Sequence, residues 1–146
     1  MEIAFPSMYL IIYISDYTGS EESIEKDLKQ ICSSAKKRNP ELEITGALFY
    51  HNRKFLQVIE GKQESLENLL DILAKDTRHT NITRIIDDRV SERAFSDWNM
   101  DSFNLNELQH IDENIVRYLK ETSYELLTEI EAEVFIDVLR SYLENQ

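Results

Sequence analysis

Two apolar, β-rich runs, 44–51 and 54–60, are separated only by Asn52 and Arg53. So short a connection calls for an antiparallel hairpin, although Asn-Arg is not the preferred pair for its turn. The flanks narrow the fold further. Ahead of the hairpin, Ile24, Leu28, Ile31 and Ala35 recur at helical spacing and form one amphipathic stripe. That helix is expected to end near Asn39-Pro40, because proline disfavours helix at the residue before it. After the hairpin, Leu66, Leu69, Leu70 and Leu73 give a second helix closing near Asp76. A strand at 9–14 precedes the first helix and one at 82–90 follows the second. The order is β-α-β-β-α-β, with a fifth strand inside 95–103 on which Trp98 and Met100 are expected to share a face. This is the split βαβ, or ferredoxin-like, plan of the α+β class, with both helices on one face of the sheet.

Residues 1–103 read as one domain and 104–146 as a C-terminal helical extension. Leu108, Ile111, Ile115 and Leu119 make one stripe in the extension. Leu127, Ile130, Val134, Val138 and Tyr142 make another. Thr122 with Glu125, and Thr128 with Glu131, fit capping boxes, so two helices are expected with a break near Thr122. They could cover the open face of the sheet or form an oligomer interface.

The chain has a net charge of −12, and 11 acidic against 3 basic side chains fall in 101–146. Nucleic-acid binding depends on neutralising phosphate and is not expected of so acidic a chain. No apolar run reaches the roughly 18–20 residues of a membrane span, and no signal-peptide pattern is present. The one cysteine, Cys32, reads as a small core residue, and a cytoplasmic protein is the simplest expectation. Gly19, Gly46 and Gly61 are too scattered for a phosphate-cradling loop. His51, His79 and His110 lack metal-ligand spacing.

One strand carries an anomaly. Alternation along FLQVIEG, residues 55–61, puts Gln57 on the face of Phe55 and Ile59. A buried amide without partners costs roughly 1–3 kcal/mol, so Gln57 needs partners. In the ferredoxin-like order the first and third strands are central neighbours. Tyr13 and Gln57 can therefore meet beneath the groove between the helices, a natural ligand site. Arg38 and Asn39 end the first helix, Arg78-His79 follow the second, and Trp98 and Met100 lie in the last strand. Each also has a plain structural reading: core aromatic, helix end, backbone-bonded amide, cap or packing. The residues alone leave both readings open.

Taken together, YIS at 13–15, RN at 38–39, ITGALFY at 44–50, FLQVIEG at 55–61, DTRH at 76–79 and ERAFSDWNM at 92–100 resemble BLUF domains, the flavin-binding blue-light sensors. The resemblance covers about residues 8–103. It implies a flavin ring between the helices, FAD by default, with FMN or riboflavin as alternatives. Tyr13, Asn39 and Gln57 would be the polar residues at its edge, and Ile31 and Leu73 apolar walls. Arg38 and His79 would lie close to the flavin, Arg78 near the entrance. The implied photocycle moves an electron and a proton from Tyr13, the proton through Gln57, and returns both. It leaves Gln57 rearranged and the absorption shifted to the red. The relay would be Trp98 or Met100. In departure from the family pattern, Arg38 stands where many relatives have asparagine or histidine, Pro40 follows Asn39, and Glu43 replaces a frequent glycine.

The expected function is a blue-light photoreceptor and not an enzyme, since the 43 residues after Phe103 leave no room for a cyclase or phosphodiesterase. Output would pass to a protein partner, or to self-association through the C-terminal helices, with no nucleic acid and no membrane involved. Two alternatives stand beside this. One is a flavin-dependent redox protein using the same pocket, against which the lack of a nicotinamide fingerprint counts. The other is a flavin-free ferredoxin-like interaction module.

Overall fold

The computed structural model describes residues 8–107 and 128–145. Five strands form one sheet: β1 (Met8–Tyr17), β2 (Thr45–His51), β3 (Lys54–Lys62), β4 (His79–Val90) and β5 (Asn99–Asn104), in the order β4-β1-β3-β2-β5. Helix α1 (Ile24–Arg38) joins β1 to β2, and α2 (Gln63–Ala74) joins β3 to β4. β3 runs antiparallel to both its neighbours, and β5 lies parallel to β2 at the sheet edge. This is the ferredoxin-like plan with a fifth strand.

Alternation along the strands divides the core in two. On one face Ile11, Tyr13, Phe55 and Ile59 pack against Leu28 of α1 and Leu66, Leu69 and Leu73 of α2. On the other, Leu10, Ile12, Phe49, Leu56 and Val58 pack against a third helix, α3 (Glu129–Glu144). Phe49, Phe103 and Tyr142 make a ring cluster there, with centroids 5.4–5.7 Å apart. α3 thus covers the face that α1 and α2 leave open. Its start has the capping box read from Thr128 and Glu131, whereas 108–127, with the other expected helix and the Thr122 box, lies outside the described residues. The buried face of α3 differs from the expected stripe. Ala132, Phe135, Leu139, Tyr142 and Leu143 are inside, while Ile130 is 77% and Val134 51% exposed. EIEAEVFIDVLRSYLE has apolar residues on two sides, and the side bearing Phe135 meets the aromatic cluster. Among the described residues no helix is long and apolar enough to cross a membrane.

The hairpin turn is tight because Asn52 and Arg53 both take positive φ, 44° and 66°. Asparagine tolerates this conformation better than arginine. Contacts hold Arg53 in it: its carbonyl accepts the Tyr17 N–H at 2.8 Å, and its guanidinium donates to the Tyr17 carbonyl at 3.1 Å. Glu43 likewise sits at φ 55°.

The entry to β5 corrects a second expectation. Trp98 and Met100 lie on opposite faces: Met100 packs with the α1/α2 core, Trp98 with Phe103 on the α3 side. Simple alternation fails because the β2–β5 register slips between Gly46 and Ala47, which pair with Asn99 and Asp101. Met100 is the extra residue of this β-bulge and takes φ 54°. On its other side Gly46 lies close against β3, where a Cβ would come within 1.9 Å of the Val58 carbonyl oxygen.

Candidate functional site

Tyr13 and Gln57 are directly opposite each other across the central β1–β3 pair. Both are buried on the face that carries α1 and α2. The Tyr13 hydroxyl donates to Gln57 Oε1. Gln57 Nε2 donates to Met100 Sδ at 3.2 Å. A thioether is a weak acceptor. The amide oxygen is therefore well satisfied and its N–H₂ end poorly so.

A cavity of about 10 Å³ lies over this pair. Ile31 of α1 and Leu73 of α2 line it, together with Asp76, Arg78 and His79. His79 is fixed at both ring nitrogens. Its Nε2 lies 2.7 Å from the Leu73 carbonyl, which can only accept, so Nε2 carries a proton. In the neutral ring Nδ1 then accepts from the Ser15 hydroxyl, 2.8 Å away. Arg78 is clamped on Asp76 by side-chain contacts of 2.6–3.2 Å. The hydrogen bonds from Arg78 hold the Asp76 carboxyl below the usual carboxylate range.

Arg38 and Asn39 stand outside the lining of this cavity, at the C-terminal end of α1. Asn39 is fully buried and held by its backbone: its N–H reaches the Ala35 carbonyl at 2.7 Å, and its own carbonyl accepts from Ile44 at 2.9 Å. Its side-chain Oδ1 accepts from Arg38 Nε at 3.3 Å. Its Nδ2 is buried with no partner among the described residues. Arg38 is half-buried, and its charge acts on both Tyr13 and Asp76.

Burial, reinforced by the Asp76 charge, raises the Tyr13 phenol well above its ordinary value, with Arg38 opposing. The phenol is thus a proton donor throughout the neutral range. Burial and the Asp27 carboxylate raise Tyr17 in the same way, and burial and Glu21 push Tyr50 up to about 12. The folded state holds these protons where the unfolded chain releases them, from about pH 10. Stability from this source is complete below that pH and is lost as pH rises through the tyrosine range. A urea midpoint that falls steeply above about pH 10 is the expected result; a flat one would contradict the burial of these phenols.

Two residues that the motifs did not single out as site residues hold side chains of the cavity lining: Ser15, bonded to His79, and Asp76, bonded to Arg78. Both lay within the quoted segments YIS and DTRH. Their part follows from the placement of His79 and Arg78, which only the fold supplies.

The fold and site define an α+β domain of the ferredoxin-like class with a buried Tyr–Gln pair beneath two helices. Residues 8–101 match the family model "BLUF: Sensors of blue-light using FAD". The chain belongs to the BLUF family of blue-light flavin sensors. It is 34% identical over 93 residues to the photoactivated adenylate cyclase subunit beta of Euglena longa, covering 63% of this chain and 11% of that protein. It is 30% identical over 95 residues to the blue light- and temperature-regulated antirepressor BluF of Escherichia coli strain K12, covering 65% of this chain and 23% of that one. The chain thus spans a minor part of these relatives. Among solved structures, BlsA in its photo-activated state is 26% identical, with a TM-score of 0.74 over 91% of this chain and 94% of that one. BlrB in its dark state has a TM-score of 0.77 over 94% and 98% of the two chains; at 23% identity it supports the fold alone.

The residues present fit a flavin. The unpartnered Asn39 Nδ2 is a buried donor lacking an acceptor, and an imide edge offers acceptors beside a donor. Ile31 and Leu73 supply apolar faces for a flat ring.

Proposed function

We propose that this chain is a blue-light sensor that binds oxidised flavin between α1 and α2. The observation that carries this reading is the buried Tyr13–Gln57 hydrogen bond, with the other end of the Gln57 amide resting only on a thioether. FAD is the proposed cofactor, with FMN or riboflavin able to occupy the same ring site. Asn39 would pair with the imide edge, Arg38 and His79 would lie close to it, and Arg78 would guard the entrance. When bound, the flavin supplies blue-light absorption and an electron acceptor.

The chain's own residues do the rest. Tyr13 gives up an electron, and its proton leaves along the hydrogen bond to Gln57. Both return, so no net chemistry is done. Gln57 ends with donor and acceptor ends exchanged, by rotation or as the imidic tautomer. A glutamine serves here because an amide carries both functions, which leucine or a carboxylate does not. Rotation turns the amide oxygen to Met100 and removes its donor, whereas the tautomer leaves one N–H there; we take rotation as the step that frees β5 to move.

Output would pass through Met100, Trp98 and β5 to the C-terminal segment, and from there to a protein partner or a second copy. Moving a partner from 1:99 to 99:1 takes about 5.5 kcal/mol of differential affinity. One hydrogen bond contributes about 1 kcal/mol. The switch must therefore bias a bistable element, and the bulge at Met100 is the proposed one.

The direct test is the visible spectrum of purified protein in the dark and just after blue light. A flavin spectrum that shifts slightly to the red and recovers is expected; one that stays still would overturn the sensor reading. Asn39→Ala is expected to weaken flavin binding about tenfold or more, by loss of a buried hydrogen bond. Titration of the apoprotein followed by fluorescence would measure it, and unchanged affinity would remove Asn39 from the site.

A further inference from the structure

Glu60 follows Gln57 by three residues on β3 and so points to the opposite face. It is fully buried, and the proposed photocycle makes no use of it. Its Oε1 accepts from the Phe95 N–H at 2.6 Å and the Thr45 hydroxyl at 2.9 Å; its Oε2 accepts from the Ala94 N–H at 2.8 Å. Arg93 ties the same loop down, donating to Thr45 Oγ1 at 2.9 Å, to the Glu60 carbonyl at 3.0 Å and to the Glu43 carbonyl. The connection from β4 to β5 is thus stapled to the adjoining ends of β2 and β3. Just beyond, the Gly46 N–H donates to the Trp98 carbonyl at 2.9 Å. Met100 follows at φ 54°.

Burying a carboxylate is costly unless it is fully hydrogen-bonded, and this one is spent on two backbone N–H groups of a loop. We propose that Glu60 is a positioning residue of the light switch. It fixes the N-terminal end of β5, so that a change at Gln57 displaces the C-terminal part of β5 and α3 rather than the loop. The inference rests on the photocycle proposed above. A methionine at positive φ persists only while its surroundings over-determine it. The Gln57 N–H on Met100 Sδ is one such determinant and the Glu60 staple another. When Gln57 reverses, the first is removed and the second remains. The strain then relaxes away from the stapled side, toward Ser102 and Asn104.

The test is NMR-detected amide exchange on the flavin-loaded full chain, dark and under blue light, with absorption recorded on the same samples. Wild type, Glu60→Gln and Thr45→Val are compared. Glutamine keeps the size of Glu60 but turns an N–H₂ toward backbone N–H groups. The expected result for E60Q is a retained red shift, Ala94 and Phe95 exchange about tenfold faster in the dark, and loss of the light-minus-dark difference in β5 and α3. T45V removes one of the three donors and should show a smaller effect in the same direction; it decides the matter if E60Q does not fold. Faster loop exchange with a wild-type light-minus-dark difference would make Glu60 merely structural and overturn the proposal. Unchanged loop exchange would overturn it as well. Absence of a red shift in wild type would instead sink the sensor reading and this inference with it.

Discussion

Gln57→Leu is expected to bind flavin and to lose the light-induced red shift completely. Leucine fills a similar volume in a strand whose neighbours on that face, Phe55 and Ile59, are apolar and buried. The proposed apolar walls for the flavin, Ile31 and Leu73, and the Asn39 amide are untouched. What disappears is the group that accepts from Tyr13 and donates to Met100. The Tyr13 hydroxyl then loses its partner at full burial, a cost of about 1–3 kcal/mol. A lower melting temperature should therefore accompany the loss of the shift. The measurement is the dark and illuminated absorption spectrum of purified Q57L with its flavin content. A normal red shift would remove Gln57 from the switch, whatever happened to stability.

Tyr13→Phe tests the other half of the pair and separates electron donation from amide reversal. Phenylalanine keeps the ring that packs in the α1/α2 core but is a far poorer electron and proton donor. Gln57 keeps its contact with Met100 and loses only the donor to its oxygen. Flavin binding should survive, the red shift should vanish, and the fluorescence of the bound flavin should rise several-fold as its proposed quencher is removed. Fluorescence lifetime together with the difference spectrum measures both effects. A full red shift in Y13F would show that another residue serves as donor. Dim fluorescence with no shift would show that quenching does not pass through Tyr13. The two variants thus fail in different ways: Q57L keeps the donor and lacks the relay, and Y13F keeps the relay and lacks the donor.

Much of the fold is written locally. The two-residue link at Asn52-Arg53, the stripes of α1 and α2 and the apolar strands each follow from short-range periodicity. Only one common plan accommodates their order. The Tyr13–Gln57 opposition follows in turn, because that plan places β1 beside β3 and both residues on the helix side. The second capping box, at Thr128 and Glu131, was equally legible, since its partners are three residues apart.

Other features escaped the sequence for one physical reason: they depend on neighbours distant along the chain. Strand alternation predicts one face for Trp98 and Met100, but the bulge opposite Gly46 adds a residue and sends them to opposite faces. No pattern within β5 announces that bulge. The apolar residues of α3 support two stripes, and the aromatic cluster around Phe49 and Phe103 decided for the one carrying Phe135. Nothing local marks Glu60, because its three donors come from residues 15 and 34–35 positions away. Sequence by itself thus determined the five strands, the first two helices and their order, because helix and strand periodicities and a short turn act over a few residues, and from that order that Tyr13 and Gln57 can meet. Only the tertiary structure decided which end of the Gln57 amide is left to Met100, where β5 is held and which face of α3 is buried, because those outcomes are set by packing between segments that the chain keeps far apart.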